Sequence, residues 1–169
     1  MKGLVKYAMV FLATAFISGC GYHVAGSGKL IPGNIKSIAM PIFQNLTTKP
    51  DIESIITGAF RNEFINNIEI SDKGEAVFNG AIRAYTLKAV SFTRSDVNQE
   101  YRLTIIIAAS ITKAGVPEPL WADDNIVAYQ DFIVNVNDVS ATKDAERNAL
   151  SKVSQDMARL TKERIVEGF

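Results

Sequence analysis

One cysteine and four strand-borne basic residues hold most of the chemistry this chain can offer. Cys20 is the sole cysteine among 169 residues, and it closes the string Ile17-Ser18-Gly19-Cys20. Lys2 and Lys6 precede an apolar run over residues 7–17, which is too short to cross a bilayer core and ends in small residues. Residues 1–19 therefore read as an export signal, and the cysteine at its small-residue cut site resembles a bacterial lipobox. There the sulfur takes a diacylglycerol, the signal is cut away and the freed amine is acylated. Each buried methylene contributes about 0.8 kcal/mol, so one acyl chain holds a protein marginally and two or more hold it firmly. A lone thiol in an exported chain has no internal disulfide to form, and lipidation accounts for it.

Catalytic chemistry is poorly supplied. Acid–base or nucleophilic catalysis needs a positioned base, yet the single histidine, His23, lies three residues from Cys20 in a glycine-bearing stretch. A zinc site would need three or four ligands, and neither an acylated Cys20 nor a solitary His23 provides them. No phosphate loop or dinucleotide fingerprint is present. The carboxylate pairs Asp123-Asp124 and Asp51 with Glu53 are better explained by a turn and a helix start than by catalysis. No enzyme, no metal and no cofactor beyond the covalent lipid is expected. Nucleic acid is equally disfavoured: without Lys2 and Lys6 the 18 basic residues become 16 against 18 acidic ones.

The basic residues are Arg83, Lys88, Arg94 and Arg102, spread along a central hairpin and its tip. Guanidinium matches phosphate oxygens two at a time, so this group is a candidate grip on the phosphates of an anionic lipid. The competing reading is an ordinary solvated strand face. Trp121 poses a similar choice between a partner surface and the core, and its place at a strand start favours the core.

The elements that must carry these residues follow from periodicity. Residues 20–34 contain Gly21, Gly26, Gly28 and Gly33 and read as a tether. Residues 35–43 form a strand that Pro41 bends or pushes to a sheet edge. Pro50, Asp51 and Glu53 start a helix whose apolar stripe is Ile52, Ile55, Ile56, Ala59, Phe60 and Phe64, and it should stop near Asn66. Residues 69–75 read as a connection. Phe78, Gly80, Ile82 and Ala84 alternate with Asn79 and Arg83, but beyond Tyr85 the polar Thr86 and Lys88 fall on the formerly apolar side, which predicts a bulge or twist near Tyr85. Tyr101, Leu103, Ile105, Ile107, Ala109 and Ile111 share a face of the next strand, with residues 93–98 as the hairpin tip and residues 113–119 as the opposite turn. A fourth strand follows Trp121, and a last helix, capped by Thr142, carries Ala149, Leu150, Val153, Met157 and Leu160. The expected fold is one α+β domain over residues 35–169, a two-layer sandwich in the order β-α-β-β-β-α. Two helices cover one face of a four-stranded mixed sheet.

These landmarks in order resemble the lipopolysaccharide-assembly lipoprotein family LptE. Cys20-Gly21-Tyr22-His23 is similar to its processed start, and Ile38 to Phe43 followed by Asn45 and Pro50 to its first strand and turn. Residues 76–85 (AVFNGAIRAY), Glu100-Tyr101-Arg102-Leu103 and Leu120-Trp121 resemble its later strands. The resemblance implies a lipoprotein on the periplasmic side of the outer membrane that plugs a large β-barrel, LptD, assists its assembly and helps deliver lipopolysaccharide to the surface. Gly21 is consistent with outer-membrane sorting, because it lacks the aspartate associated with inner-membrane retention in some bacteria. On this reading Arg83, Lys88, Arg94 and Arg102 become candidate lipopolysaccharide contacts. The rival is a periplasmic lipoprotein that activates a peptidoglycan synthase or builds a secretion pore, since such modules open with a similar strand. A lipid-anchored hydrolase is a third reading, with no residue to nominate for turnover.

Overall fold

The computed structural model describes residues 31, 35–92, 98–135 and 137–168. The signal, Cys20, His23, Arg94 and the tether apart from Ile31 lie outside the described residues, as does the hairpin tip at 93–97.

Six strands and two helices make up this part of the chain. The strands are β1 (Ser37–Ala39), β2 (Gln44–Asn45), β3 (Glu69–Ile70), β4 (Ala76–Phe92), β5 (Asn98–Lys113) and β6 (Trp121–Asn135). They form one sheet in the order β3-β1-β4-β5-β6, with β2 also on β4. β1 runs parallel to both β3 and β4, whereas β4, β5 and β6 are an antiparallel meander, so the sheet is mixed.

The four expected strands are present, and two short ones join them. The strand expected over residues 35–43 is cut short to Ser37–Ala39, because Pro41 has no N–H to give a ladder. Helix α1 (Ile52–Phe64) takes over that stretch instead. The Phe43 N–H donates to Thr57 Oγ1 at 3.0 Å, and Arg61 Nε donates to the Met40 carbonyl at 3.0 Å. The supposed connection at 69–75 opens with β3, whose Glu69 and Ile70 stand beside Ser37 and Ile38. Ile31, assigned to the tether, is fully buried in the core, so close packing begins before residue 35.

α1 buries Ile52, Ile56, Phe60 and Phe64, one residue per turn and a little over. Asp51 precedes it at φ 65° with no side-chain cap. Helix α2 (Val139–Glu167) starts a turn earlier than expected: Asp138, not Thr142, is the cap, and its carboxylate accepts the Ala141 N–H at 2.9 Å. Both helices feed one hydrophobic core against a single face of the sheet. At its centre Phe43, Phe60, Phe64 and Phe78 interlock, with ring centroids 4.9 to 6.2 Å apart. Ser154 and Thr161 are buried inside α2, and each hydroxyl donates to the carbonyl four residues back.

The anticipated rephasing of β4 is a bulge at Arg83, where the register with β5 slips between Ile82 and Ala84. Tyr85 and Leu87 thereby join the face that carries Ile82, opposite Ile105 and Leu103, and Thr86 and Lys88 turn to the other face. A second slip lies between Ala89 and Ser91.

Gly58 sits inside α1, and a methyl added there meets nothing within 4 Å. Gly58→Ala should stabilise the fold by about 1 kcal/mol, because Ala both favours helix and narrows the unfolded ensemble. A urea titration that shows no rise in the midpoint would contradict this.

Candidate functional site

The helices leave one face of the β4-β5-β6 meander uncovered, and the described members of the predicted basic group, Arg83, Lys88 and Arg102, stand on it. Three cross-strand rows define that face: Thr86, Thr104 and Tyr129; Lys88, Arg102 and Asp131; then Glu100 beside Ile133. Alternation fixes which side chains reach it, since successive residues of a strand point to opposite sides.

Arg102 is held by two partners, Asp131 and Tyr129. Its Nε and Nη2 donate to the two carboxylate oxygens of Asp131 at 2.7 and 2.8 Å, and its guanidinium lies 4.3 Å from the centre of the Tyr129 ring. The Arg102 hydrogen bond holds the Asp131 carboxyl below the usual carboxylate range. Lys88 is directly opposite Arg102, a like-charge pairing that Asp131 offsets. Lys88 is exposed and makes no ion pair among the described residues. Arg83, at the bulge itself, is on the same face, where it donates to the Asp124 carbonyl at 3.1 Å and carboxylate at 3.3 Å. That pair is open to water and contributes little.

Of the four predicted residues, the structure thus brings Lys88 and Arg102 together, sets Arg83 apart on the same face, and leaves Arg94 outside the described residues. Asp131 and Tyr129 were not anticipated as partners. Only the strand register reveals them, because the partners are 29 and 27 residues away along the chain.

Asp123 and Asp124 are adjacent yet serve opposite faces. Asp123 accepts from Arg164 of α2 at 2.5 Å, whereas Asp124 pairs with Arg83. The β5–β6 register slips there, with Asp124 and Asn125 facing the single residue Ala108. Neither carboxylate is placed to act with the other. Glu53 instead accepts from Asn45 Nδ2 at 2.9 Å, and Asn45 also ties Thr47 and Lys49 into the loop before α1. Trp121 packs against the core. Among the described residues no three His, Cys, Asp or Glu are grouped to hold a metal ion. No described helix is long and apolar enough to cross a membrane.

A second polar cluster lies on the helix side. Glu146 of α2 accepts from Lys49 Nζ at 2.8 Å and from the Tyr85 hydroxyl at 2.6 Å, and so joins the loop before α1, strand β4 and helix α2. Burial opposes its charge, but the hydrogen bonds from Lys49 and Tyr85 outweigh that and hold the carboxyl below its ordinary value. Burial, with the Glu146 contact second, raises the Tyr85 phenol well above its usual range. A depressed folded-state carboxyl stabilises fully above its unfolded pKa, about 4.3, and the contribution disappears as pH falls below that. The stability gap between wild type and Glu146→Gln should therefore shrink as pH is lowered through 4. Denaturant titrations at pH 7 and below 4 that give the same gap would refute the linkage.

A family model described as "LptE: Lipopolysaccharide-assembly" matches residues 35–165. No curated protein matches the chain. Among solved structures, that of a lipoprotein candidate from Caulobacter crescentus CB15 superposes with a TM-score of 0.53 at 4% identity, over 75% of this chain and 89% of that one. A minor lipoprotein from Acinetobacter baumannii gives a TM-score of 0.46 at 13% identity, over 79% of this chain and 92% of its own. At such identity the first likeness shows a shared fold and nothing finer.

Proposed function

Because the chain belongs to the LptE lipopolysaccharide-assembly family, we propose that it is an outer-membrane lipoprotein that seats in an LptD-like β-barrel, supports that barrel's assembly and takes part in delivering lipopolysaccharide to the cell surface. The observation that carries this reading is the extent of the match, which runs from before β1 into the last turn of α2 and so takes in every described strand and nearly all of both helices. Lipid on Cys20 would hold the domain against the inner leaflet, facing the periplasm. Its work is binding rather than turnover.

The uncovered sheet face suits that work. Lipopolysaccharide presents phosphate groups, and Lys88 offers an exposed ammonium beside a guanidinium whose Nε and Nη2 face Asp131, which leaves Nη1 clear of that carboxylate. Of the three described basic residues, Lys88 is the one whose charge is not already paired, so it should contribute most. Neutralising Lys88, Arg94 and Arg102 together should weaken lipopolysaccharide crosslinking several-fold and leave barrel docking nearly unchanged, with Lys88→Ala the strongest single change among the described three. Undiminished crosslinking in the triple variant would discard the phosphate grip.

The test of the whole reading is purification from membranes. A co-purifying large outer-membrane barrel supports it, whereas a peptidoglycan synthase or a ring of copies supports the rival. Cys20→Ala should release the chain into the soluble periplasm, and retention in the membrane fraction would remove the anchor from the proposal.

A further inference from the structure

On the uncovered face the chemistry changes in steps along the sheet. Beside the Lys88–Arg102 row stand Thr86, Thr104 and Tyr129, and the row after that is wholly apolar: Ala84, Ile106 and Val127. Ala81 and Ala108 follow. Their side chains are small, and the surface sinks there into a hollow of 290 Å³ between Ile42 and Gln44 on one side and Asp124 on the other. From Arg102 to Ala108 the strip runs about 20 Å, at roughly 3.4 Å per residue. Val127, Tyr129 and Ile42 are 39, 59 and 61% exposed. An apolar strip left open to water, with charge at one end, marks a binding surface.

The proposed role supplies two candidates for covering this strip, the barrel wall and the lipid, and their chemistry decides between them. The lumen of an outer-membrane barrel is lined by polar side chains, which match neither Val127 nor Ile42. A phosphate-bearing amphiphile matches the strip from end to end. Its anionic part meets Lys88, which has no ion pair among the described residues, and its hydrocarbon lies over the apolar row. We propose, resting on the reading of this face as a lipopolysaccharide grip, that the strip from Thr86 to Ala108 binds one acyl chain of that lipid and that the hollow takes the chain's end. One contact must yield. Arg83 crosses β5 to reach Asp124 at the mouth of the hollow. That pair is open to water and contributes little, so the chain displaces it at small cost.

The test is equilibrium binding of the purified lipidated chain in detergent to two probes: lipopolysaccharide, and the same lipopolysaccharide stripped of its acyl chains with its phosphates kept. Wild type should bind the acylated probe about tenfold more tightly or better. Val127→Gln with Ile42→Gln makes the strip polar without changing its charge. Both positions are exposed, so this double variant should melt as wild type does. It should lose most of the preference for the acylated probe and bind the stripped one unchanged, whereas Lys88→Ala should weaken both. A wild type that binds the two probes equally overturns the proposal and leaves the phosphate grip standing. So does a double variant with full affinity for the acylated probe. A wild type that binds neither probe removes the grip and the acyl site together. A double variant that keeps the lipid but no longer co-purifies with the barrel assigns the strip to the barrel wall, and this too overturns the proposal.

Discussion

Phe78→Ala should lower the free energy of unfolding by about 3–5 kcal/mol, the usual cost of emptying a buried aromatic site. Phe78 is fully buried and touches the rings of Phe43, Phe60 and Phe64, with centroids at 5.8, 5.7 and 5.4 Å. Those three come from the segment before β2 and from α1, so the loss loosens the contact between the first helix and the sheet as well as removing apolar surface. Against a typical total of about 5–15 kcal/mol, the variant stands close to unfolding at 37 °C. Leu46→Ala, at a position 56% exposed, is the control and should change little. Urea titrations of both variants check this, and a shift below about 1 kcal/mol for Phe78→Ala would show that the aromatic cluster is not the keystone of the core.

Gly74→Ala is the second severe change. A β-carbon at Gly74 would lie 2.2 Å from the backbone atoms of Ile38 and Ala39, closer than any side-chain carbon can come. Backbone cannot swing aside as a side chain can, so β1 would have to part from its neighbours. Gly74 donates its N–H to the Ser71 carbonyl in the tight turn between β3 and β4, the two strands that flank β1. The expected loss is about 3 kcal/mol, at the upper end for overpacking, with the damage local to β1 and β3. Amide exchange should accelerate at Ile38 and Ala39 before it does in β5. Unchanged protection at those residues would refute the account.

How far the sequence foretold this arrangement depends on whether a signal was local. Periodicity placed both helices and the three long strands, because Ile52, Ile56, Phe60 and Phe64, and likewise Leu103, Ile105 and Ile107, repeat within one element. The break in alternation near Tyr85 even located the Arg83 bulge to within two residues. What escaped were features decided by distant partners. β3 is two residues long and carries no periodic pattern, and Asp138 won the cap from Thr142 through geometry at a single carboxylate. The basic group was found by residue type, but its electrostatics were not legible. Nothing near Arg102 in sequence says that Asp131 quenches it while Lys88 is left unpaired, since strand register is a property of the assembled sheet.

β1 has a bearing on the order in which the chain folds. It lies between two strands that are both made later: Ile38 rests beside Ile70 and Ala76, and Ala76 in turn needs Lys113 on its far side. The meander, by contrast, is built from sequence neighbours and can nucleate early, at low entropic cost. A nascent chain that emerges amino end first must keep Ile38 waiting until residue 113 has appeared. Its opening apolar segment thus waits longer for its sheet neighbours than any later strand does, and it stays exposed meanwhile.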